Sequence, residues 1–215
     1  MNGPGRDTVA TSVSHETLAR LDTFVALLHR WQGVKNLVGP ATLDAVWERH
    51  VADSLQLAAH APRTGLWVDF GSGAGFPGLV LAILAAETPD MRVTLVESNA
   101  RKCAFLREVA RATGARAEIR DGRIEVVAAA LSGAVAVTAR AVASLDTLLD
   151  WAKPLLTAGT VGLFPKGRDV EAELTAARER WRFDADLLPS RTASDAWIVR
   201  VTSLLPVQAS QHAAR

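Results

Sequence analysis

The sequence contains little of what marks secreted, metal-binding and membrane proteins. Cys103 is the only cysteine among 215 residues, which excludes an internal disulfide, and no spacing of cysteine and histidine indicates a metal site. The opening MNGPGRDTVATSVSH lacks the apolar core that a signal peptide needs. The longest apolar run, Phe76–Ala86, is shorter than the roughly 20 residues that span a bilayer. We therefore predict a soluble cytoplasmic protein with no metal and no membrane partner.

What is present fits one globular domain of ordinary size. Hydrophobic residues make up 49% of the chain and charged residues 22%, which is enough for a sizeable core. The formal net charge is +1, so the overall charge leaves both RNA and small molecules open as partners. Any nucleic-acid surface must then be a local basic patch.

Apolar spacing predicts N-terminal helices followed by alternating strands and helices. Ser14, Thr42 and Asn99 are predicted helix caps, each followed by apolar residues at three- and four-residue intervals. The predicted strands are 66–70, 92–97, 116–121, 134–138 and 160–164, with an antiparallel edge pair at 182–188 and 197–203. This pattern is typical of an α/β fold with a doubly wound, mostly parallel sheet. The predicted divisions are a flexible tail (1–14), a helical segment (15–64), a nucleotide-binding domain (65–205) and a second flexible tail (206–215).

The stretch from Gly65 to Gly78 carries the strongest local pattern. A buried strand ends at Phe70, four glycines follow, and Pro77 can begin the next helix. Such a strand-to-helix turn presents backbone N–H groups to a ligand. The match of GAGFPG to the dinucleotide pattern GxGxxG is weak by itself. The longer string DFGSGAG, in which Asp69 stands two residues before the first glycine, is typical of Rossmann-like class I methyltransferases that use S-adenosylmethionine.

Ligands of such sheets bind beyond the carboxyl ends of the strands, where the strand order reverses. The residues predicted there are Asp69–Gly75, Glu97, Asp121–Glu125 and Arg140. Glu97 lies 19 residues after Gly78, where these folds place a carboxylate that accepts the ribose hydroxyls. NAD also contains ribose, so an NAD-binding regulatory module is the alternative. The lack of residues for a further catalytic domain and the closing antiparallel pair favour the methyltransferase.

Several further motifs, in order, make the chain similar to a known family. They are WQGVKNLV, RHVADSL, VDFGSGAGFPGLVLAI, LVESNARKCAFL, GRIE, TARAVASL and PKG, which together cover nearly the whole chain. On these motifs the chain resembles the bacterial small-subunit ribosomal RNA methyltransferase family RsmG, also called GidB. It departs from the usual family pattern at Gln32, Val38 and Ile124.

The resemblance implies transfer of a methyl group from S-adenosylmethionine to nitrogen-7 of a guanine in a loop of 16S rRNA, guanine 527 in the family's usual rRNA numbering. The substrate would be rRNA, naked or within the small subunit, and the by-product S-adenosylhomocysteine. We expect a monomer. The alternative within the same fold is a methyltransferase of a small molecule or a protein. Nitrogen-7 of guanine has an in-plane lone pair and no proton to lose, so we predict no catalytic base.

The predicted cofactor contacts combine the motifs with the strand ends. The resemblance assigns Gly71, Phe76, Ile124, Glu125 and Arg140 to the cofactor, and the glycine loop and the second strand add the three contacts Asp69, Gly73 and Glu97. Arg140 is expected to bind the cofactor carboxylate or the RNA backbone, and a structural ion pair is its alternative role.

Positive charge is concentrated between Asn99 and Arg123, where seven lysines and arginines face three acids. Such a surface can bind phosphates, although charged helix faces are often simply solvated. The predicted RNA-binding residues are Lys35, Arg101, Lys102 and Lys166. His50 and Asp53, three residues apart on a predicted helix, are either a polar pair near the ligand or a solvated pair.

Overall fold

The computed structural model describes residues 4–32 and 43–206. Within them, α1 (Pro4–Ala10) and α2 (His15–Gln32) precede a third helix, α3, which changes type along its length. It runs as a π-helix over Trp47–Ala52, an α-turn over Asp53–Leu55 and a 3₁₀ turn over Gln56–Ala59. The predicted cap at Ser14 is confirmed, because its Oγ accepts the backbone N–H of Thr17 at 2.9 Å. The predicted cap at Thr42 lies outside the described residues.

The described residues form a seven-stranded sheet in the order β3-β2-β1-β4-β5-β7-β6. The order reverses at β1, because the chain first adds β2 and β3 on one side of it and then β4 and β5 on the other. Strand β7 is antiparallel to both of its neighbours. The strands are β1 (Gly65–Phe70), β2 (Met91–Glu97), β3 (Ala117–Asp121), β4 (Ala134–Ala139), β5 (Val161–Lys166), β6 (Trp181–Pro189) and β7 (Trp197–Pro206). The predicted α/β class, with a doubly wound, mostly parallel sheet and an antiparallel edge, is confirmed.

Helices connect the parallel strands and cover both faces of the sheet. They are α4 (Gly78–Ala85), α5 (Ala100–Thr113), α6 (Ile124–Val127), α7 (Leu145–Leu156) and α8 (Val170–Arg180), with a 3₁₀ turn at Ala128–Leu131. Helix α5 begins where the sequence predicts, because Asn99 accepts the backbone N–H groups of Arg101 and Lys102 through its side-chain oxygen. None of the helices in the described ranges is long and apolar enough to cross a membrane.

Two buried clusters lie on opposite faces of the sheet, since successive side chains of a strand point to opposite faces. Trp67 of β1 packs into the cluster that contains α2, α4 and α5, and its neighbour Val68 packs into the cluster that contains α7 and α8. The N-terminal helices therefore share a core with the sheet. The boundary predicted between residues 64 and 65 remains a prediction.

The structure differs from the prediction near the N-terminus, where a flexible tail was expected over residues 1–14. Residues Pro4–Ala10 form α1 instead. Val9 is only 2% exposed, and Arg6 forms a bidentate ion pair with Asp22 of α2, with its Nη2 2.6 Å from Oδ2. Among residues 5–10 of this short helix Val9 is the one that is buried, and a single buried residue gives no helical periodicity in the sequence. The apolar pattern therefore does not predict that α1 packs against the rest of the protein. The second predicted tail, after Pro206, lies outside the described residues.

Candidate active site

The glycine loop brings backbone close to the strand ends at the point where the order reverses. Gly71 has φ of +65°, a conformation that residues with a side chain rarely adopt. A Cβ at this position would lie 2.7 Å from Cγ2 of Val142, which follows β4. Gly71 therefore fits here for two reasons, the turn itself and the close approach of the neighbouring strand end.

Asp69 supports this loop from inside the protein. Its side chain is 1% exposed, Oδ2 accepts the backbone N–H of Gly78 at 3.1 Å, and Oδ1 accepts the hydroxyl of Thr138 at 2.9 Å. Burial raises the pKa of the Asp69 carboxyl to about 6, although the hydrogen bonds oppose this shift. The sequence predicts Asp69 as a direct cofactor contact, whereas the structure places it beneath the loop, where it fixes the start of α4.

The raised pKa of Asp69 predicts a pH dependence of stability. Because the pKa is about 6 in the folded chain and 3.8 for an ordinary Asp, the folded state binds more protons between these values. The free energy of unfolding should therefore fall by about 3 kcal/mol in total as the pH rises from well below 3.8 to well above 6, and about 2 kcal/mol of this loss should occur between pH 4 and pH 6. In Asp69→Asn this pH-dependent contribution should vanish, because an amide does not titrate. The fold should be kept, since the amide can accept from Gly78 and donate to Thr138.

Urea titrations of both proteins at pH 4, 5, 6 and 7 would measure this difference. Asp184→Asn, which removes an exposed carboxylate on β6, is the matched control. If the stability of the wild type and of Asp69→Asn ran parallel over this pH range, Asp69 would titrate normally and the argument from burial would be wrong.

A first cavity of about 290 Å³ opens beside the loop. Four predicted cofactor residues line it, namely Gly71, Glu97, Ile124 and Glu125, and so does the predicted RNA-binding residue Lys102. The remaining lining residues are Val96, Ser98, Gly122, Arg123, Ala141, Val142 and Trp151. The structure thus brings together residues that lie up to 80 positions apart in the chain.

Glu97 is the best-positioned charged group of the first cavity. Its side chain is at the end of β2 and the residue is 7% exposed. Oε2 accepts the backbone N–H of Gly73 at 2.9 Å, and Oε1 accepts that of Asn99 at 2.8 Å. Gly73, predicted as a cofactor contact, is outside the cavity lining and shapes the site through this bond. Each carboxylate oxygen retains acceptor capacity, so the group fits a vicinal diol.

Phe76 and Arg140 do not line the first cavity and form part of a separate cluster. The Phe76 ring is 5% exposed and stacks on the His50 ring at 4.9 Å between centroids. The Arg140 guanidinium lies 5.4 Å from the same Phe76 ring. Arg140 also reaches α3, where it donates to the carbonyl of Arg49 at 3.0 Å, to Asp53 Oδ2 at 3.3 Å and to His50 Nδ1 at 2.7 Å. The ion pair that the sequence offered as the alternative role of Arg140 is therefore present.

His50 is held neutral in this cluster. Burial, followed by the positive charge of Arg140, lowers the pKa of His50 to about 4. Because Nδ1 accepts from Arg140, the ring proton is on Nε2. Nε2 is buried without a hydrogen-bond partner among the described residues. His50 and Asp53, which the sequence left as either ligand-side or solvated, are joined to the strand end through Arg140.

A second cavity, of about 450 Å³, lies beside the first and shares Ala141 with it. Its ionisable lining residues come from α3, β5, α8 and the residue after β4, and they are Arg49, His50, Asp53, Arg140, Lys166 and Glu173. The loop between β6 and β7 closes another side with Ser190, Thr192, Ala193 and Ala196. A cavity of this size is within the range of small-molecule and nucleotide sites.

The β6–β7 loop is fixed to α3 by side chains that the sequence analysis did not identify. Gln56 donates to Ser190 Oγ at 3.2 Å and accepts the backbone N–H of Arg191 at 2.9 Å. Thr192 donates to Asp53 Oδ1 at 2.8 Å. These residues are more than 130 positions apart, and no local pattern predicts their contact. Trp151, which lines the first cavity, was missed for another reason. It lies among apolar residues at helical spacing on α7, a pattern that indicates a core residue and not a ligand contact.

The predicted RNA-binding residues have different environments. Arg101 is exposed at the first turn of α5, and Lys102 beside it is half-buried on the first cavity. The Lys166 side chain is only 7% exposed, and its Nζ lies 2.6 Å from Glu173 Oε2 and 2.9 Å from the carbonyl of Ala143. Lys35 lies outside the described residues. Arg101 is thus on an open surface, whereas Lys166 belongs to the second cavity.

The strand order with its antiparallel β7, the glycine loop and the acid at the end of β2 define a Rossmann-like methyltransferase that uses S-adenosylmethionine. Solved structures share this fold. An O-methyltransferase from Bacillus cereus in complex with S-adenosylhomocysteine matches with a TM-score of 0.57, at 16% identity over 84% of this chain and 90% of that one. A fibrillarin/Nop5p complex matches with a TM-score of 0.56 at 10% identity, covering 73% and 82% of the chains.

Sequence comparison defines the family within that class. The model of the GidB family, described as rRNA small subunit methyltransferase G, matches residues 17–194. The ribosomal RNA small subunit methyltransferase G of Methylobacterium nodulans is 59% identical over 207 residues, 95% of this chain and 98% of that protein. That of Rhodopseudomonas palustris is 51% identical, covering 91% and 84%. The chain belongs to the rRNA small subunit methyltransferase G family, and the predicted family, enzyme class and cofactor are confirmed.

Proposed function

We propose that this enzyme transfers the methyl group of S-adenosylmethionine to nitrogen-7 of an unpaired guanine in 16S rRNA. The observation that carries the proposal is the pair of adjacent cavities at the switch point, which share the lining residue Ala141. One presents a carboxylate suited to ribose, and the other presents both signs of charge. Two adjacent sites of this kind fit a methyl donor and a methyl acceptor, which have to be in contact for the transfer. A monomer working in the cytoplasm is part of the proposal.

The residues of the first cavity fit the cofactor. When bound, S-adenosylmethionine supplies a methyl group activated by its sulfonium. Glu97 would accept the ribose hydroxyls, while Ile124 provides apolar surface and Gly71 allows the close approach that a Cβ would block. Asp69 and Gly73 act through the loop. Phe76 and Arg140, which do not line this cavity, would act by holding α3 against the loop and the end of β4.

Guanine nitrogen-7 needs no proton removed, so the chain has to supply position rather than a base. Orientation of two reactants can lower a barrier by about 7–11 kcal/mol. The neutral state of His50 agrees with this view, because a second positive charge beside Arg140 would oppose a purine that becomes cationic on methylation. Arg140 is already paired with Asp53, which offsets its own charge.

A paired guanine should be a poor substrate. Nitrogen-7 lies on the major-groove edge, and in A-form RNA that groove is deep and narrow, so protein side chains do not reach it. The target is then a loop or a base turned out of a helix. Lys102, in the lining of the first cavity, and its exposed neighbour Arg101 are suited to contact the RNA backbone with salt-sensitive affinity.

A base-resolution map of N7-methylguanine in 16S rRNA, made with and without the protein, tests this proposal. Naked rRNA and small-subunit particles are incubated with labelled S-adenosylmethionine, and a plain RNA duplex serves as the unreactive control. We expect one methylated guanine in an unpaired segment. Label found in another base, at another atom or only in a protein or small molecule would overturn the proposal.

A further inference from the structure

The second cavity contains a half-buried ion pair that the proposed methyl transfer does not use. Lys166, at the end of β5, is 7% exposed in its side chain, and Glu173 of α8 is 27% exposed. An ion pair that is partly withdrawn from water seldom adds much stability, because the loss of hydration offsets most of the attraction between the charges. Two charged groups on the wall of a cavity are therefore better explained by what the cavity binds.

The hydrogen bonds of this pair leave one donor and one acceptor for a ligand. Nζ of Lys166 has three N–H groups, two of which point to Ala143 O and Glu173 Oε2. Oε2 of Glu173 also accepts the backbone N–H of Leu145 at 2.6 Å, at the start of α7. No described residue donates to Glu173 Oε1. The pair is thus fixed through Oε2, while Oε1 and one N–H of Lys166 remain.

We propose that Glu173 and Lys166 read the Watson–Crick edge of the target guanine. This inference rests on the proposed function. The two residues line the second cavity and are absent from the lining of the first. A guanine that turns nitrogen-7 towards the first cavity turns N1–H and the 2-amino group away from it, on the opposite side of the ring. Oε1 of Glu173 accepts from these two donors with its two lone pairs, and the remaining N–H of Lys166 donates to O6.

The same arrangement rejects adenine. Adenine presents an unprotonated N1 and has no 2-amino group, so the acceptor Glu173 would face another acceptor. The 6-amino group of adenine is a donor and would face the donor Lys166. Sites built for one hydrogen-bond pattern discriminate strongly against a base with the reverse pattern, because their buried polar groups are left unpaired. Glu173 and Lys166 would then determine which purine is methylated, while the first cavity provides the methyl group.

The test compares the wild type with Glu173→Gln and, as matched control, with Glu171→Gln, which alters an exposed acid on the same helix. Glutamine can still accept from Leu145 and Lys166 but places an amide donor against N1–H. We expect kcat/KM for 16S rRNA to fall by about ten- to a hundredfold. The affinity for S-adenosylhomocysteine should be unchanged in both variants, and Glu171→Gln should keep wild-type kcat/KM.

Substituting inosine for the mapped target guanosine separates recognition from a structural role. Inosine lacks the 2-amino group, so the wild type should methylate it about tenfold less efficiently, whereas Glu173→Gln should treat the two RNAs nearly alike. The inference fails if inosine carries no penalty in the wild type, if Glu173→Gln keeps the full penalty, or if its kcat/KM is unchanged. If the wild type forms no N7-methylguanine at all, the proposed function fails first, and this inference fails with it.

Discussion

Replacing Glu97 by alanine should weaken the binding of S-adenosylhomocysteine by about a hundredfold or more. Hydrogen bonds to a charged group contribute about 1.5–3 kcal/mol each, and Glu97 can bond two ribose hydroxyls. The change also removes the acceptor for the N–H groups of Gly73 and Asn99, which lie at 2.9 and 2.8 Å. Both effects reduce affinity, because the loop that faces the cofactor loses its tie to β2.

Isothermal titration of each variant with S-adenosylhomocysteine measures the loss. Glu97→Gln keeps the size of the side chain and one acceptor, so it should lose less affinity than alanine. Glu118→Gln is the control, since Glu118 is an exposed acid on β3 that is paired with Arg120 on the surface. Wild-type affinity in Glu97→Ala would mean that the carboxylate neither contacts the ligand nor holds the loop in the conformation that binds it.

The second large effect is expected for Arg140→Ala. The side chains of Arg140 and Asp53 are 17% and 15% exposed, so removing the arginine leaves a carboxylate with little water and no cation. The cost of breaking such a pair is about 3–5 kcal/mol, and the partial access of water places this one near the lower value. Methylation should fall by roughly a hundredfold, as α3 loses three contacts with the end of β4.

A double-mutant cycle with Asp53→Asn shows whether the uncompensated charge causes the loss of stability. The double variant should be more stable than Arg140→Ala alone, because no unpaired charge remains. The pKa of His50 should rise in Arg140→Ala, since Arg140 is one of the causes of its low value, after burial. Imidazole NMR across a pH series measures this shift. Unaltered stability, methylation and His50 titration in Arg140→Ala would contradict the assigned role.

Much of the fold could be predicted because its signals are local. Each predicted strand has an observed counterpart, and the caps at Ser14 and Asn99 form, since apolar runs and capping side chains act within a few residues. The glycine loop and Glu97 were also identifiable, because a nucleotide loop requires glycine and an acid at fixed spacing. These features place the first cavity correctly along the chain.

What could not be predicted depends on contacts between distant segments. Phe76 and Arg140 have motif positions that suggest the cofactor, yet their side chains meet His50 and α3. Asp69 is turned inward by Thr138 and Gly78. The second cavity combines α3, β5, α8 and the β6–β7 loop. The spacing of residues within one segment does not show which distant segments come into contact. For this reason the sequence around Glu173 did not indicate that it lines a cavity.

The central claim is that the glycine loop and Glu97 bind S-adenosylmethionine beside a pocket for a neutral purine nitrogen. Calorimetric titration of the folded wild-type protein with S-adenosylhomocysteine tests it most directly, with NADH as the competing ligand. We expect saturable 1:1 binding of S-adenosylhomocysteine and no heat from NADH. Binding of NADH in its place, or no binding of S-adenosylhomocysteine by protein whose fold is verified by circular dichroism, would contradict it.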